Sequence, residues 1–153
     1  MTRPTWDEYF INMVKLISTR SKDENTKIGC VIVGPHHEVR STGYNGFPRG
    51  INDNDPERQR RPQKYYYFEH AERNAIYNAV RHGVALEGCI LYCKAMPCAD
   101  CARGIIQSGI LQVVLSTFQL EGRWGDSCQA GWTMMCESGI IVRYIGENTD
   151  ESV

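Results

Sequence analysis

The sequence predicts a three-layer α/β/α domain built on a mixed sheet of about five strands, the last three of them parallel. Three observations carry that reading. Apolar runs rich in β-branched residues recur at strand length, from 28–33 to 140–142. The first two are separated only by the turn formers around Gly34-Pro35, which makes them a hairpin. The last three are separated by segments of helical periodicity, and connections of that length join parallel strands. Helices then cover both sheet faces, and residues 1–153 form a single domain large enough to bury a core without disulfides.

Residues 6–19 set Tyr9, Phe10, Met13, Val14, Leu16 and Ile17 near helical spacing with Asp7, Glu8, Asn12 and Lys15 between them, an amphipathic helix. Arg20-Ser21-Lys22-Asp23 breaks the pattern, and 28–33 and 39–44 follow as the two hairpin strands. Between Gly43 and Lys64 the chain turns to Gly, Pro and charged residues, a stretch that in a compact domain is functional or mobile. Tyr65-Tyr66-Tyr67-Phe68 is expected to bring it back into the core. Residues 70–81 place Ala71, Ala75, Ile76, Ala79 and Val80 on one helical stripe that ends at Gly83 as C-cap. A strand at 89–92, a helix at 98–108 opened by Pro97 and closed by Gly109, and a strand at 111–115 come next. A helix at 127–138 should turn Trp132, Met135 and Cys136 inward, a strand opens at 140–142, and 148–153 is a polar tail expected to fray.

The net charge of −1 gives no global basic field to draw the chain to nucleic acid. No apolar run is long enough to span a membrane, and the N-terminus lacks a signal-peptide pattern, so no membrane partner is expected. Seven cysteines are an odd number, and two sit in a C-x-x-C, which points to a reducing cytoplasm (a host's, if the source is viral). Cys30, Cys89, Cys93, Cys128 and Cys136 read as small core or surface residues.

The chemistry sits in two stretches, His70-Ala71-Glu72 and, 27 positions after the histidine, Pro97-Cys98-Ala99-Asp100-Cys101. One imidazole and two thiolates (His70, Cys98, Cys101) suit Zn²⁺, and three protein ligands leave a fourth tetrahedral position open, as catalytic sites require. His70 and Glu72 start one predicted helix, Cys98 and Cys101 another, so both helix dipoles favour thiolate at the site. Zinc lowers the pKa of a water it holds to about 7. Glu72 lies near such a metal without binding it, and is the candidate catalytic base. The competing reading is a structural zinc knot, or free thiols beside a core histidine. It lacks a comparably spaced fourth ligand, since Cys93, five residues before Cys98, is made a poor one by strand geometry.

This spacing resembles the H-x-E…P-C-x-x-C signature of zinc-dependent nucleobase deaminases. More narrowly, and over nearly its whole length, the chain resembles deoxycytidylate (dCMP) deaminases of the cytidine deaminase-like superfamily. Arg20-Ser21-Lys22-Asp23, Thr26-Lys27-Ile28-Gly29, the turn from Gly43 to Gly50, His70 to Ile76 and Pro97 to Ala102 carry the likeness. The zinc motifs alone are shared with tRNA adenosine, guanine and riboflavin-pathway deaminases. The Tyr44-Asn45 turn followed by Phe47-Pro48, joined to Arg20-Ser21-Lys22, is particular to the dCMP group. The resemblance implies hydrolysis of dCMP to dUMP and ammonia, feeding thymidylate synthesis, with one catalytic Zn²⁺ per subunit.

Arg20, Ser21 and Lys22 offer cationic and hydroxyl donors for a monophosphate, with a solvated loop as the plain alternative. Asn45 carries donor and acceptor, and the resemblance turns it to the sugar, although turn asparagines are often only structural. The Ala71 backbone N–H, at a helix start, is a donor for the pyrimidine O2. The resemblance also implies a homohexamer activated by dCTP, with Mg²⁺ accompanying the triphosphate, and inhibited by dTTP. Its effector residues would be Tyr44, Gly46, Phe47, Arg49 and Arg81, the last reading equally as a cation at a helix C-terminus. Some relatives hold a second, structural zinc before the histidine motif. Residues 50–69 contain neither Cys nor His, so that site is not expected here. Trp124 reads as a base-stacking residue or as a subunit contact.

Two other functions compete. A polynucleotide deaminase would use Tyr65-Tyr66-Tyr67 beside Arg58, Arg60, Arg61 and Lys64 as a binding patch, but acidic residues are interleaved there. A non-enzymatic zinc-stabilised interaction module would have no need of Glu72.

Overall fold

A computed structural model describes residues 2–146, so the tail expected to fray lies outside the described residues. Five strands, β1 (Gly29–Val33), β2 (Val39–Tyr44), β3 (Ile90–Cys93), β4 (Gln112–Leu115) and β5 (Ile141–Tyr144), form one sheet in the order β2-β1-β3-β4-β5. The hairpin pair is antiparallel, β1 is antiparallel to β3, and β3, β4 and β5 run parallel, as the crossover lengths require. Around the sheet lie α1 (Trp6–Ser18), α2 (Lys64–Tyr67), α3 (Ala71–Arg81), α4 (Ala99–Gln107) and α5 (Gly125–Glu137). No helix among the described residues is long and apolar enough to cross a membrane.

Local chemistry sets the boundaries. Thr5 and Glu8 open α1 with a reciprocal capping box, Oγ1 accepting from the Glu8 N–H and Oε2 from the Thr5 N–H. Gly83 and Gly109 adopt positive φ beyond α3 and α4, where a side chain would be strained. Strand residues alternate faces. Val31, Val33, Tyr92 and Val114 pack under Phe10, Ile11 and Val14 of α1, while Cys30, Ile32, Leu91, Val113 and Leu115 join Ala75, Ile105 and Met135 on the opposite side. Burial on both faces is why these strands are continuously apolar.

The structure corrects three side-chain placements. Val80 is 71 % exposed, because α3 buries only the stripe of Ala71, Ala75, Ile76 and Ala79. Cys136 is exposed on α5, and Met135 alone of the three expected residues is fully buried, with Trp132 half-buried against the core. Tyr65, Tyr66 and Tyr67 do not return the chain to the core. They form the short helix α2, in which no residue is buried, and Phe68 behind it is half-buried against Phe47.

Strand register brings distant segments to one end of the sheet. Gly29 pairs with Tyr44, Cys30 with Cys93, and Cys93 with Leu115. The start of β1 and the ends of β2, β3 and β4 therefore share one edge. From that edge leave Ile28, Asn45, the Ala95–Met96 turn and the segment that supplies Gln119 and Glu121 to Trp124, and these residues line one cavity.

Candidate active site

Two close approaches seat the helices that carry the cluster. A Cβ on Gly43 of β2 would stand 2.3 Å from the Ala75 nitrogen and 2.4 Å from the Ala71 oxygen, so only glycine lets α3 lie this close. On α5, a Cβ on Gly131 would stand 2.7 Å from the Pro97 oxygen, the residue that leads into α4. His70 and Cys98 are the N-cap residues of α3 and α4, and neither makes a side-chain capping bond. Their side chains turn to each other instead.

His70 Nδ1 lies 3.5 Å from Cys98 Sγ and 3.5 Å from Cys101 Sγ, and the three ligand atoms all fall within 4.8 Å of one another. Tetrahedral bonds of about 2.3 Å to sulfur and about 2.0–2.1 Å to nitrogen separate N from S by about 3.5 Å, so the trio fits zinc. Cys101 Sγ also lies 3.6 Å from Glu72 Oε2, and Glu72 is only 7 % exposed. Bonds from Cys101 and His70 pull the Cys98 thiol down to about 4, and the same contact pushes Cys101 up. Burial holds the Glu72 carboxyl above its ordinary range, partly offset by the His70 charge. A buried carboxyl tuned upward beside a metal ligand set is equipped to move protons.

The cluster sits in a cavity of about 500 Å³, within the range of small-molecule sites. Ala71 and Asn45 line it. Asn45 Nδ2 donates to the Thr26 carbonyl (2.8 Å) and to Asp23 (3.2 Å), and Oδ1 accepts from the Ile28 N–H (2.9 Å). Ser21 lies beneath, its hydroxyl donating to the Asn45 carbonyl at 2.8 Å. Arg20 and Lys22 are exposed and outside the lining, and Lys22 pairs with Asp53. The expected three-donor loop is thus divided between a buried support and two solvent-facing cations.

Sequence reasoning missed Asp23 and Arg123 as lining residues, weighed Arg61, Lys64 and Tyr65 only as part of a nucleic-acid patch, and left Trp124 undecided. Burial pushes the Asp23 carboxyl up, but Lys64 and the Asn25 and Thr26 N–H groups outweigh it and hold it below its ordinary value. The Asp23-x-Asn25-Thr26 turn was the available signal for a structured carboxylate. Trp124 meets His70 edge-on at 5.4 Å between ring centroids and Tyr65 edge-on at 5.6 Å, beside the metal ligands. The charged segment before α3 is held by Lys64–Asp23 and Lys22–Asp53 ion pairs and by Arg58 stacked over Tyr67 at 4.3 Å.

The five residues implicated in effector binding lie outside the cavity lining. Asn74 donates to the Tyr44 carbonyl and Arg49 to Asn78 Oδ1, and Arg81 continues that face of α3 one turn on. Gly46 pairs with Glu69, and Phe47 packs on Phe68 at 4.5 Å.

A mixed sheet with a His-Cys-Cys cluster at two helix starts and a buried glutamate beside it defines a zinc-dependent deaminase. The chain belongs to the family described as the cytidine and deoxycytidylate deaminase zinc-binding region, whose model matches residues 4–117. It is 37 % identical over 142 residues to the uncharacterized deaminase in the luxG 3' region of Aliivibrio fischeri, covering 92 % of this chain and 93 % of that one. It is 36 % identical over 130 residues to human deoxycytidylate deaminase, covering 82 % of this chain and 70 % of that one. Its fold matches the dCMP deaminase of cyanophage S-TIM5 in complex with dCMP and dUMP with a TM-score of 0.76 at 24 % identity, covering 95 % of this chain and 100 % of that one.

Proposed function

We propose that the protein is a dCMP deaminase that converts dCMP and water to dUMP and ammonia. Glu72 carries the reading. A buried carboxyl 3.6 Å from a cysteine sulfur that is spaced for zinc has no use in a structural site and an obvious one in hydrolysis. Bound zinc supplies a water made nucleophilic near neutral pH. The reaction places the water oxygen on C4, one proton on ring N3 and the other on the departing amine. Glu72 takes and returns those protons, its buried carboxyl lying beside the ligand set where they must pass. The Ala71 N–H at the start of α3 donates to the pyrimidine O2, and Asn45 Oδ1 keeps acceptor capacity for a sugar hydroxyl.

The deoxycytidylate deaminases among its relatives support the monophosphate as substrate. The same family likeness supports a homohexamer with one zinc per subunit, activated by dCTP with Mg²⁺ and inhibited by dTTP. Tyr44, Gly46, Phe47, Arg49 and Arg81 are its effector residues in this reading. The test is ammonia release from dCMP, deoxycytidine, dCTP and a tRNA anticodon stem-loop, each with and without dCTP or dTTP. Turnover of dCMP alone, raised by dCTP and lowered by dTTP, is expected. Turnover of the stem-loop with dCMP inert overturns the substrate.

A further inference from the structure

The charges around the cavity do not all have work inside the protein. Of its four lining cations, Lys64 lies 2.7 Å from the Asp23 carboxylate, and Arg73 lies 2.5 Å from Glu69 and 3.4 Å from Asp100. Arg61 and Arg123 have no ion-pair or hydrogen-bond partner among the described residues, and both are exposed at the cavity mouth. They belong to different segments that meet. Residues 60–65 form a tight turn, with the Lys64 N–H donating to the Arg60 carbonyl and the Tyr65 N–H to the Pro62 carbonyl, so Arg61 is held close to Tyr65. Arg123 immediately precedes Trp124, and Tyr65 and Trp124 touch edge-on at 5.6 Å. Trp124 also abuts His70 at 5.4 Å, which fixes this pair of segments directly beside the metal ligands.

We propose that Arg61 and Arg123, brought to the cavity mouth by the Tyr65–Trp124 contact, clamp the 5'-phosphate of the substrate and make the enzyme select a monophosphate over a nucleoside. The inference rests on the deaminase reading above. With the base held at Ala71 and Glu72 in the depth of the cavity, the 5' end of the nucleotide faces the mouth. Guanidinium groups suit that end, because each offers a planar fork of donors to phosphate oxygens. The expected donors Arg20 and Lys22 are not on the lining, and Lys22 already serves Asp53. Glu121, also on the lining and without an ion-pair partner among the described residues, opposes a dianion there. The clamp therefore makes two predictions of opposite sign.

The experiment measures steady-state kinetics on dCMP and deoxycytidine, and calorimetric binding of dUMP, deoxyuridine and inorganic phosphate, for five proteins. These are the wild type, the double variant Arg61→Ala/Arg123→Ala, Arg61→Lys/Arg123→Lys, Glu121→Gln, and Arg60→Ala. Arg60 is exposed, pairs with Glu57 and does not line the cavity, so it controls for charge removed from the same turn. Charge-assisted hydrogen bonds from a guanidinium to phosphate oxygens give about tenfold each, so the alanine double variant should raise the dCMP KM by about 100-fold with kcat within twofold. Turnover of deoxycytidine should stay within twofold. The lysine variant should recover part of the loss, Glu121→Gln should tighten dUMP, and Arg60→Ala should change nothing. An unchanged dCMP-to-deoxycytidine preference in the alanine double variant overturns the clamp. If the wild type deaminates neither compound, the substrate reading fails and binding alone decides. Wild-type affinity for dUMP and phosphate that the double variant loses upholds the clamp. Equal affinity for dUMP and deoxyuridine in the wild type, or phosphate affinity unchanged in the double variant, removes it.

Discussion

Replacing Gly43 with alanine should disable the site from beneath, without touching a ligand. The added Cβ would stand 2.3 Å from the Ala75 nitrogen and 2.4 Å from the Ala71 oxygen, both backbone atoms of α3. Ordinary contact begins near 3.4 Å, so α3 must withdraw by about 1 Å or its first turns must distort. Overpacking of this kind costs about 1–3 kcal/mol, which lowers Tm by roughly 3–10 °C in a chain of this size. The shift also moves His70 and Glu72 against Cys98 and Cys101, whose separations of 3.5 Å suit one ion. A displacement of about 1 Å at a reacting centre costs about 10²-fold in rate. Differential scanning calorimetry, zinc content per subunit by atomic emission and ammonia release from dCMP read the three effects. Gly104→Ala is the control: its Cβ meets Ile76 at 3.5 Å in ordinary contact, in a helix that gains from alanine. A Gly43→Ala protein with Tm within 1 °C, full zinc and activity within twofold would refute the account of how α3 is seated.

Other perturbations follow from the same contacts. Glu72→Gln should fold and keep its zinc while ammonia release falls by about 10²–10⁴-fold, and retained turnover would sink the proton-transfer role. Chelation with a strong zinc ligand should abolish activity and lower Tm, and added Zn²⁺ should restore both; activity that persists at zero measured zinc would exclude the metal reading. Asp7 accepts from Arg143 at 2.8 and 3.0 Å and from the Tyr92 hydroxyl at 2.8 Å, tying α1 to β3 and β5. Asp7→Ala should therefore cost about 1–2 kcal/mol, discounted for partial exposure. The Arg143 bond, against burial, holds the Asp7 carboxyl below its ordinary value. Its contribution is thus present above the unfolded value of about 3.9 and is lost as pH falls through the lower folded value. Wild type and Asp7→Ala should converge in stability only below about pH 4, and a difference that vanishes at pH 6 would contradict the assignment.

The sheet was legible because both of its faces are covered. Val31, Tyr92 and Val114 had to be apolar toward α1 while Cys30, Leu91 and Val113 had to be apolar toward the layer of α3, α4 and α5, so the central strands stood out as unbroken runs. The cluster of His70, Cys98 and Cys101 was legible because metal chemistry restricts residue type and spacing together. Side-chain direction at the edges of helices was less so: Val80 shares the polarity of the buried stripe but faces outward. The segment before α3 misled most. Three tyrosines look like core, yet Tyr67 takes its place from Arg58, and Tyr65 from Trp124, 59 residues further on. Pairings set by tertiary contact leave no local period to read. Arg20 and Lys22 show the converse, since a motif gives chemistry and proximity in sequence but not which way a loop faces.

The missing caps on α3 and α4 bear on how the molecule breathes. An ordinary serine or aspartate at such a position stabilises a helix start by about 1 kcal/mol, and His70 and Cys98 forgo it. The two starts are not equally bare, because the Ala99 N–H finds a substitute in the Ser127 hydroxyl at 2.9 Å. Zinc ligation joins both starts to one ion, so amides at the start of α3 and α4 should exchange with solvent as a single cooperative unit in the holoprotein. Chelation divides that unit. The amides that open α3 should then lose protection first, with α4 still fastened through α5, so the turn that carries Glu72 is the one whose order depends on the metal.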